Sequence, residues 1–211
     1  MYPDLQTVKQ IAAGGMYKRV PVCREILSDT YTPVEVMRIS RKASRHCYLL
    51  ESASQEEAWG RYSFLGYDPT MEITCLDGEV TIRENLGNGT ETVTTKHVDH
   101  PGDTLREVLA RYKSPVMEKM PTFTGGLVGY FSYDYIKYSE PKLKLTSEGQ
   151  QDFRDMDLML FNEVIAFDHY RQKIMLITGV MTEDIEGSYQ KAEETLEDMA
   201  KLIREGEKET F

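Results

Sequence analysis

The chain has 211 residues, 40% hydrophobic and 28% charged, enough to bury one good-sized core or two small ones. Its 35 acidic residues outnumber 25 basic ones, and a net charge of −10 repels phosphate backbones, which argues against nucleic acid as a partner. Glycines and prolines are scattered, so there is no collagen-like, low-complexity or repeated tract.

The opening MYPDLQTVKQ lacks the basic-then-apolar design of a secretory leader, and no apolar run approaches the roughly 18 residues of a membrane span. The expectation is a cytoplasmic protein with no membrane partner. Residues 4–13 predict a short helix with Leu5, Val8, Ile11 and Ala12 on one face, ended by Gly14-Gly15. Residues 18–27 predict a strand interrupted by Pro21. Thr32, Pro33 and Glu35 then supply an N-cap, a first-turn proline and a capping-box glutamate. They open a helix running to about Ser44, with Val34, Met37 and Ala43 as its apolar positions. The densest basic stretch, RISRKASR at 38–45, falls on this helix and reads as a solvated, cationic helix end.

From His46 the period changes to two. CYLLESA, RYSFLGY, MEITCLD, EVTIRE and TETVTTK read as short strands, with hairpin signals at Asp77-Gly78 and at NLGNG, 85–89. Five strands with no helix between them predict an antiparallel meander. Residues 103–112 form an amphipathic helix and 123–134 a strand, while 158–167 and 173–178 pair across DHYRQ. The last element carries one apolar seam, Ile185, Tyr189, Ala192, Leu196, Met199 and Ile203, on a helix capped by Thr182. REGEKETF at 204–211 has the composition of a linker. The sum is an α+β protein of two packed, mostly antiparallel sheets with flanking helices.

Catalytic patterns are lacking. There is no GxSxG elbow, HExxH or P-loop, and the glycines of FTGGLVGY precede strand-like residues rather than the helix that a phosphate cradle needs. They read as close packing or a bulge. His97, Asp99 and His100 suit a divalent ion chemically but have no fourth ligand at useful spacing, so they read as solvated loop residues. His46 and His169 read as structural. Cys23, Cys47 and Cys75 form no CxxC pair and read as buried thiols of a reducing compartment. No pair of carboxylates stands out as acid and base.

YLLES at 48–52, GRYSFLG at 60–66 and FTGGLVGYFSYD at 123–134, followed by DLMLFNEVIAFDH at 157–169, resemble the N-terminal half of the anthranilate synthase component I family. Each segment is weakly specific; the set in this order covers nearly the whole chain. The resemblance implies the two-sheet fold and a reaction in which chorismate and ammonia give anthranilate and pyruvate. It also implies magnesium and a glutamine amidotransferase subunit, component II, that supplies the ammonia. In that family the residues for chorismate and magnesium lie in a C-terminal half, so no catalytic or metal residue carries over and the chain alone is expected to be inactive. Residues 1–205 would be the N-terminal region and 206–211 the start of a linker to the catalytic half.

What carries over is part of the site where tryptophan inhibits the family. The resemblance places Leu50, Glu51, Ser52, Gly60, Arg61 and Tyr62 there. Glu51 suits the ligand's ammonium, Ser52 a hydrogen bond, and Arg61 a carboxylate or a neighbouring acid, while Leu50 and Tyr62 suit the indole. The bland alternative is that Glu51 and Ser52 simply end a strand. Two further readings stay open: aminodeoxychorismate synthase component I of the folate pathway, and a free-standing amino-acid-binding domain without catalysis.

Overall fold

The computed structural model describes residues 1–51, 60–87, 89–140, 142 and 153–209. Asp4 opens α1 (Leu5–Ala13), its carboxylate accepting from the Thr7 amide at 2.8 Å. β1 (Arg19–Leu27) then runs unbroken through Pro21. The expected interruption does not occur because β1 is a sheet edge, where a residue without an N–H leaves no ladder bond unmade on its outer side. α2 (Pro33–Ala43) starts with both halves of its capping box formed, each bond 3.2 Å long. Its buried stripe is Val36, Ile39 and Ser40, whereas Val34 is exposed. Of the apolar positions expected, Met37 packs against the core, but the buried stripe is the i, i+3, i+4 set from Val36 rather than one through Val34.

The strands expected as one meander are divided between two sheets. β2 (Cys47–Leu50) and β3 (Tyr62–Tyr67) pair antiparallel. β4 (Met71–Leu76), β5 (Glu79–Glu84) and β6 (Thr92–His97) form a true meander in the second sheet. The change of sheet comes at Asp68, with φ 55, and Pro69, which end the ladder of β3. α3 (Pro101–Arg111) follows, beginning two residues before the expected start, with Pro101 in its first turn.

β7 (Gly126–Phe131) is shorter than expected, and Tyr133–Tyr138 is a 3₁₀ helix. Asp155, 3% exposed, pins this helix. It accepts from Tyr138 Oη at 2.6 Å, Lys137 Nζ at 2.9 Å and the Asp77 amide at 2.8 Å, and Tyr138 Oη itself accepts from the Gly78 amide at 2.7 Å. The single strand expected over 158–167 is two, β8 (Met156–Phe161) and β9 (Val164–Asp168), which join different sheets. β9 pairs with β10 (Lys173–Met181) across DHYRQ as read from the sequence. α4 (Ile185–Glu205) is capped by Asp184, which accepts from the Gly187 amide at 3.1 Å. Thr182, the expected cap, instead donates its hydroxyl to the carbonyls of Tyr17 and Lys18.

The strand orders are β1-β10-β9-β3-β2 and β6-β5-β4-β8-β7, and every pairing with a defined register is antiparallel. The chain divides into two compact units, one of Met1–Asp68, Arg111–Gly126 and Phe161–Phe211, the other of Pro69–Ala110 and Leu127–Leu160. In the first, one face of the sheet (Val20, Val22, Leu65, Ile165, Phe167, Leu176) meets Val8 of α1, Val36 of α2 and the α4 seam. The other face (Cys23, Val164, Ala166, Met175, Ile177) meets Met117, Met120 and Phe123. Covering both faces explains why β9 is buried at every position rather than at alternate ones. In the second unit, Met71, Ile73 and Cys75 of β4 and Met156, Leu158 and Leu160 of β8 are buried at alternating positions.

Candidate functional site

The first sheet gathers the predicted site residues at one end. β2 stops at Leu50, whose register partner is Phe64, so Glu51 follows just where β3 begins with Tyr62. β3 in turn places Tyr62 opposite Asp168 of β9. Leu50, Glu51, Gly60, Arg61 and Tyr62 therefore share the strand ends around Asp168; Ser52 lies outside the described residues.

Arg61 is held rather than free. Its Nε and Nη2 donate to Asp168 Oδ1 and Oδ2 at 3.1 and 2.7 Å, the two-pronged geometry that guanidinium and carboxylate favour. Asp168 Oδ1 also accepts from the Arg171 amide at 3.1 Å, and the His169 amide donates to the Arg61 carbonyl at 3.0 Å. The guanidinium lies over the rings of Tyr62 and Tyr170, 4.8 and 5.8 Å from their centroids. Burial pushes the Asp168 carboxyl up, but the bonds from Arg61 and Arg171 outweigh it and hold the group below its ordinary value. The same contact raises Arg61, and burial, then the Asp168 charge, raises Tyr62.

Two faces of this strand end remain available. Leu50 is 50% exposed and Glu51 is exposed. Tyr62 begins a row of rings, with Phe64 at 5.8 Å, then Phe123 at 5.7 Å from Phe64, then Tyr48 and Phe161. At the same end, an open cleft of about 360 Å3 lies between residues 28–33 and the β9–β10 turn, where Tyr31, Phe167 and His169 contribute to its lining.

Sequence reasoning missed Asp168 and Phe64. Asp168 sits in the quoted segment FDH, but nothing local marks it as the partner of a residue 107 positions earlier. Phe64 was legible: it shares Tyr62's side of the strand by simple alternation. His169, read as structural, lies 2.7 Å by Nε2 from Ser63 Oγ and stacks on Phe167.

Among the described residues no group of three or more His, Cys, Asp or Glu is placed to hold a metal ion, and no helix is long and apolar enough to cross a membrane. The three cysteines are free, and burial pushes the Cys23 thiol up to about 11.

The sequence profile of the chorismate binding enzymes matches residues 45–210, well over half of the chain. The chain belongs to that family. It is 34% identical over 204 residues to anthranilate synthase component 1 of Acinetobacter calcoaceticus, an alignment covering 95% of this chain and 40% of that protein. With the protein of the same name from Acetivibrio thermocellus it shares 30% identity over 202 residues, 96% of this chain and 38% of the relative. The chain thus spans about 40% of the length of these relatives. The crystal structure of anthranilate synthase component I from Streptococcus pneumoniae TIGR4 aligns with a TM-score of 0.48 at 26% identity, over 85% of this chain and 36% of that one.

Proposed function

We propose that this chain is the N-terminal region of an anthranilate synthase component I, with residues 1–205 forming that region and 206–211 beginning the linker to a C-terminal catalytic half. In this reading the longer protein, a lyase, converts chorismate and ammonia to anthranilate and pyruvate. A glutamine amidotransferase, component II, supplies the ammonia, and residues of the other half hold chorismate and magnesium. The likeness to relatives of that name over 95% of the chain supports it.

The part played by this chain is one wall of the tryptophan feedback site. The observation that carries this is the convergence of Leu50, Glu51 and Tyr62 on one strand end, with Arg61 locked to Asp168. Glu51 offers its carboxylate to the ligand's ammonium, Ser52 a hydroxyl, and Leu50 with Tyr62 the apolar surface for the indole. Arg61, engaged by Asp168, acts as a positioning residue that fixes the backbone of 60–62 and the Tyr62 ring. Contacts on so exposed a wall are wet and contribute little alone, so affinity depends on a second wall from outside the chain.

The test is anthranilate production by the full-length enzyme against rising tryptophan. Glu51→Ala or Ser52→Ala should relieve inhibition and leave the uninhibited rate largely intact, and the 211-residue chain by itself should make no anthranilate and bind tryptophan at millimolar concentration or weaker. Variants as sensitive as the parent would make these residues mere strand ends. Aminodeoxychorismate as the product would move the protein to the folate pathway.

A further inference from the structure

The basic stretch 38–45 is largely exposed, as the sequence suggests, but Arg38, Arg41 and Lys42 also have partners in the chain. Residues 206–209 lie along α2, and the two segments exchange hydrogen bonds and ion pairs. The Glu209 amide donates to the Arg38 carbonyl at 3.1 Å, and Arg38 returns two bonds, from Nε at 2.9 Å and Nη2 at 2.7 Å, to the Glu209 carbonyl. Arg41 Nε meets the Glu209 carboxylate at 3.1 Å, Lys42 Nζ meets Glu207 at 3.2 Å, and Lys208 Nζ meets Glu35 at 2.6 Å. The approach depends on Gly206: a Cβ there would collide with Ile39 Cγ2 and with the Leu202 carbonyl.

We propose that the basic face of α2 is a docking site for an acidic, extended peptide segment, and that residues 206–209 occupy it in cis as a charge-dependent latch. The charges alternate to match: acidic 207 and 209 meet Lys42 and Arg41, and basic 208 meets Glu35. One main-chain bond, from the Glu209 amide to the Arg38 carbonyl, and two bonds from the Arg38 guanidinium to the Glu209 carbonyl engage the tail through its peptide groups, which calls for a peptide and not merely an anion. Glu35 serves twice, bonding Lys208 and closing the capping box with Thr32, so the latch and the start of α2 are coupled. Its carboxyl is held low by Lys208 first and by the Thr32 amide second. The ion pairs are largely exposed, so salt should open the latch: at about 1 M the screening length falls to about 3 Å.

The experiment is amide hydrogen exchange on the full chain, read at 206–209, with β10 as an internal reference. Protection of the Glu209 amide should be clear in dilute buffer and fall about tenfold in 1 M salt, while β10 stays unchanged. Reversing the tail (Glu207→Lys with Glu209→Lys) should remove the protection. Adding Arg41→Glu and Lys42→Glu should restore much of it, and Arg38→Met should abolish it in either background. Exchange of the parent's Glu209 amide at the rate of an unstructured peptide overturns the proposal. So does a failure of the combined reversal to restore protection in a chain whose β10 remains protected. Protection that grows with protein concentration, together with a dimer in solution, overturns the cis assignment in favour of a tail exchanged between copies.

Discussion

Arg19 occupies the space that a side chain at position 179 would need: a Cβ on Gly179 would overlap Arg19 Nε and stand 2.5 Å from Cζ. The guanidinium is buried and donates from Nη2 to the carbonyls of Thr124 and Asn162, both at 3.0 Å. Gly125, at φ 134, would bring its own Cβ to 3.0 Å from Nη2. Burial pushes Arg19 down to about 10, with Glu163 opposing, so it stays charged at neutral pH. Gly125 of FTGG and Gly179 of β10 thus make room for a cation from another strand.

Gly179→Ala should therefore cost about 1–3 kcal/mol, as overpacking against a rigidly held group does. Arg19→Ala should also destabilise, by leaving two buried carbonyls unpaired. The double variant should lose less than the sum, because removing the Arg19 side chain vacates the space that the added methyl group needs. Urea unfolding of the three variants measures the coupling.

Asp184→Ala should lower stability by about 1 kcal/mol through loss of the α4 cap, and Thr32→Ala by a similar amount at α2. Asp184→Asn should behave like the parent, because the amide oxygen can take the same bond. Thermal melts followed by circular dichroism decide both.

Asp168 and Asp155 have folded-state values held below 3.8, so the unfolded chain binds more protons in acid. Their contribution is in place above the unfolded value and is lost as pH falls through it toward the folded values. Unfolding free energy should drop between about pH 5 and pH 2. Asp168→Asn should be less stable at neutral pH, with a flatter acid profile, and Arg61→Lys should share the first effect by losing the two-pronged contact. Denaturant titrations at a series of pH values test the sign.

Leu196→Ala, in the middle of the α4 seam against the sheet, should cost about 2–5 kcal/mol without changing the far-ultraviolet spectrum. A loss under about 1 kcal/mol would mean that the seam is not packed as described.

Features whose cause is local in the chain were legible in advance. The α2 capping box needs Thr32, Pro33 and Glu35 and nothing else, and the α4 seam needs its own spacing. The Asp77-Gly78 hairpin was likewise visible, with Gly78 at φ 81. What could not be read depends on distant partners. Nothing near Asn162 announces that β8 and β9 part there, because the group that takes its carbonyl is Arg19, 143 positions away. Nothing near Arg61 names Asp168, and nothing in the basic run 38–45 names its acidic partners, which follow α4. The resemblance located the candidate site; only the register of β2, β3 and β9 shows which of its members share a strand end.

The pairing of β1 with β10 joins the first strand to one that begins near residue 173. At about 5–20 residues per second, a ribosome needs on the order of ten to thirty seconds after β1 to deliver that partner. Until then β1 has residues 19–27 ready but no neighbour in its sheet, and no early stretch of chain can finish either compact unit, since both are assembled from separated stretches. The loop entropy of so distant a contact must be offset before any of its stabilisation is felt, which places this fold among slow, late-committing ones. Between the synthesis of β1 and that of β10 the nascent chain carries an unclosed sheet edge, and its need for chaperones should fall sharply once residues 173–181 emerge.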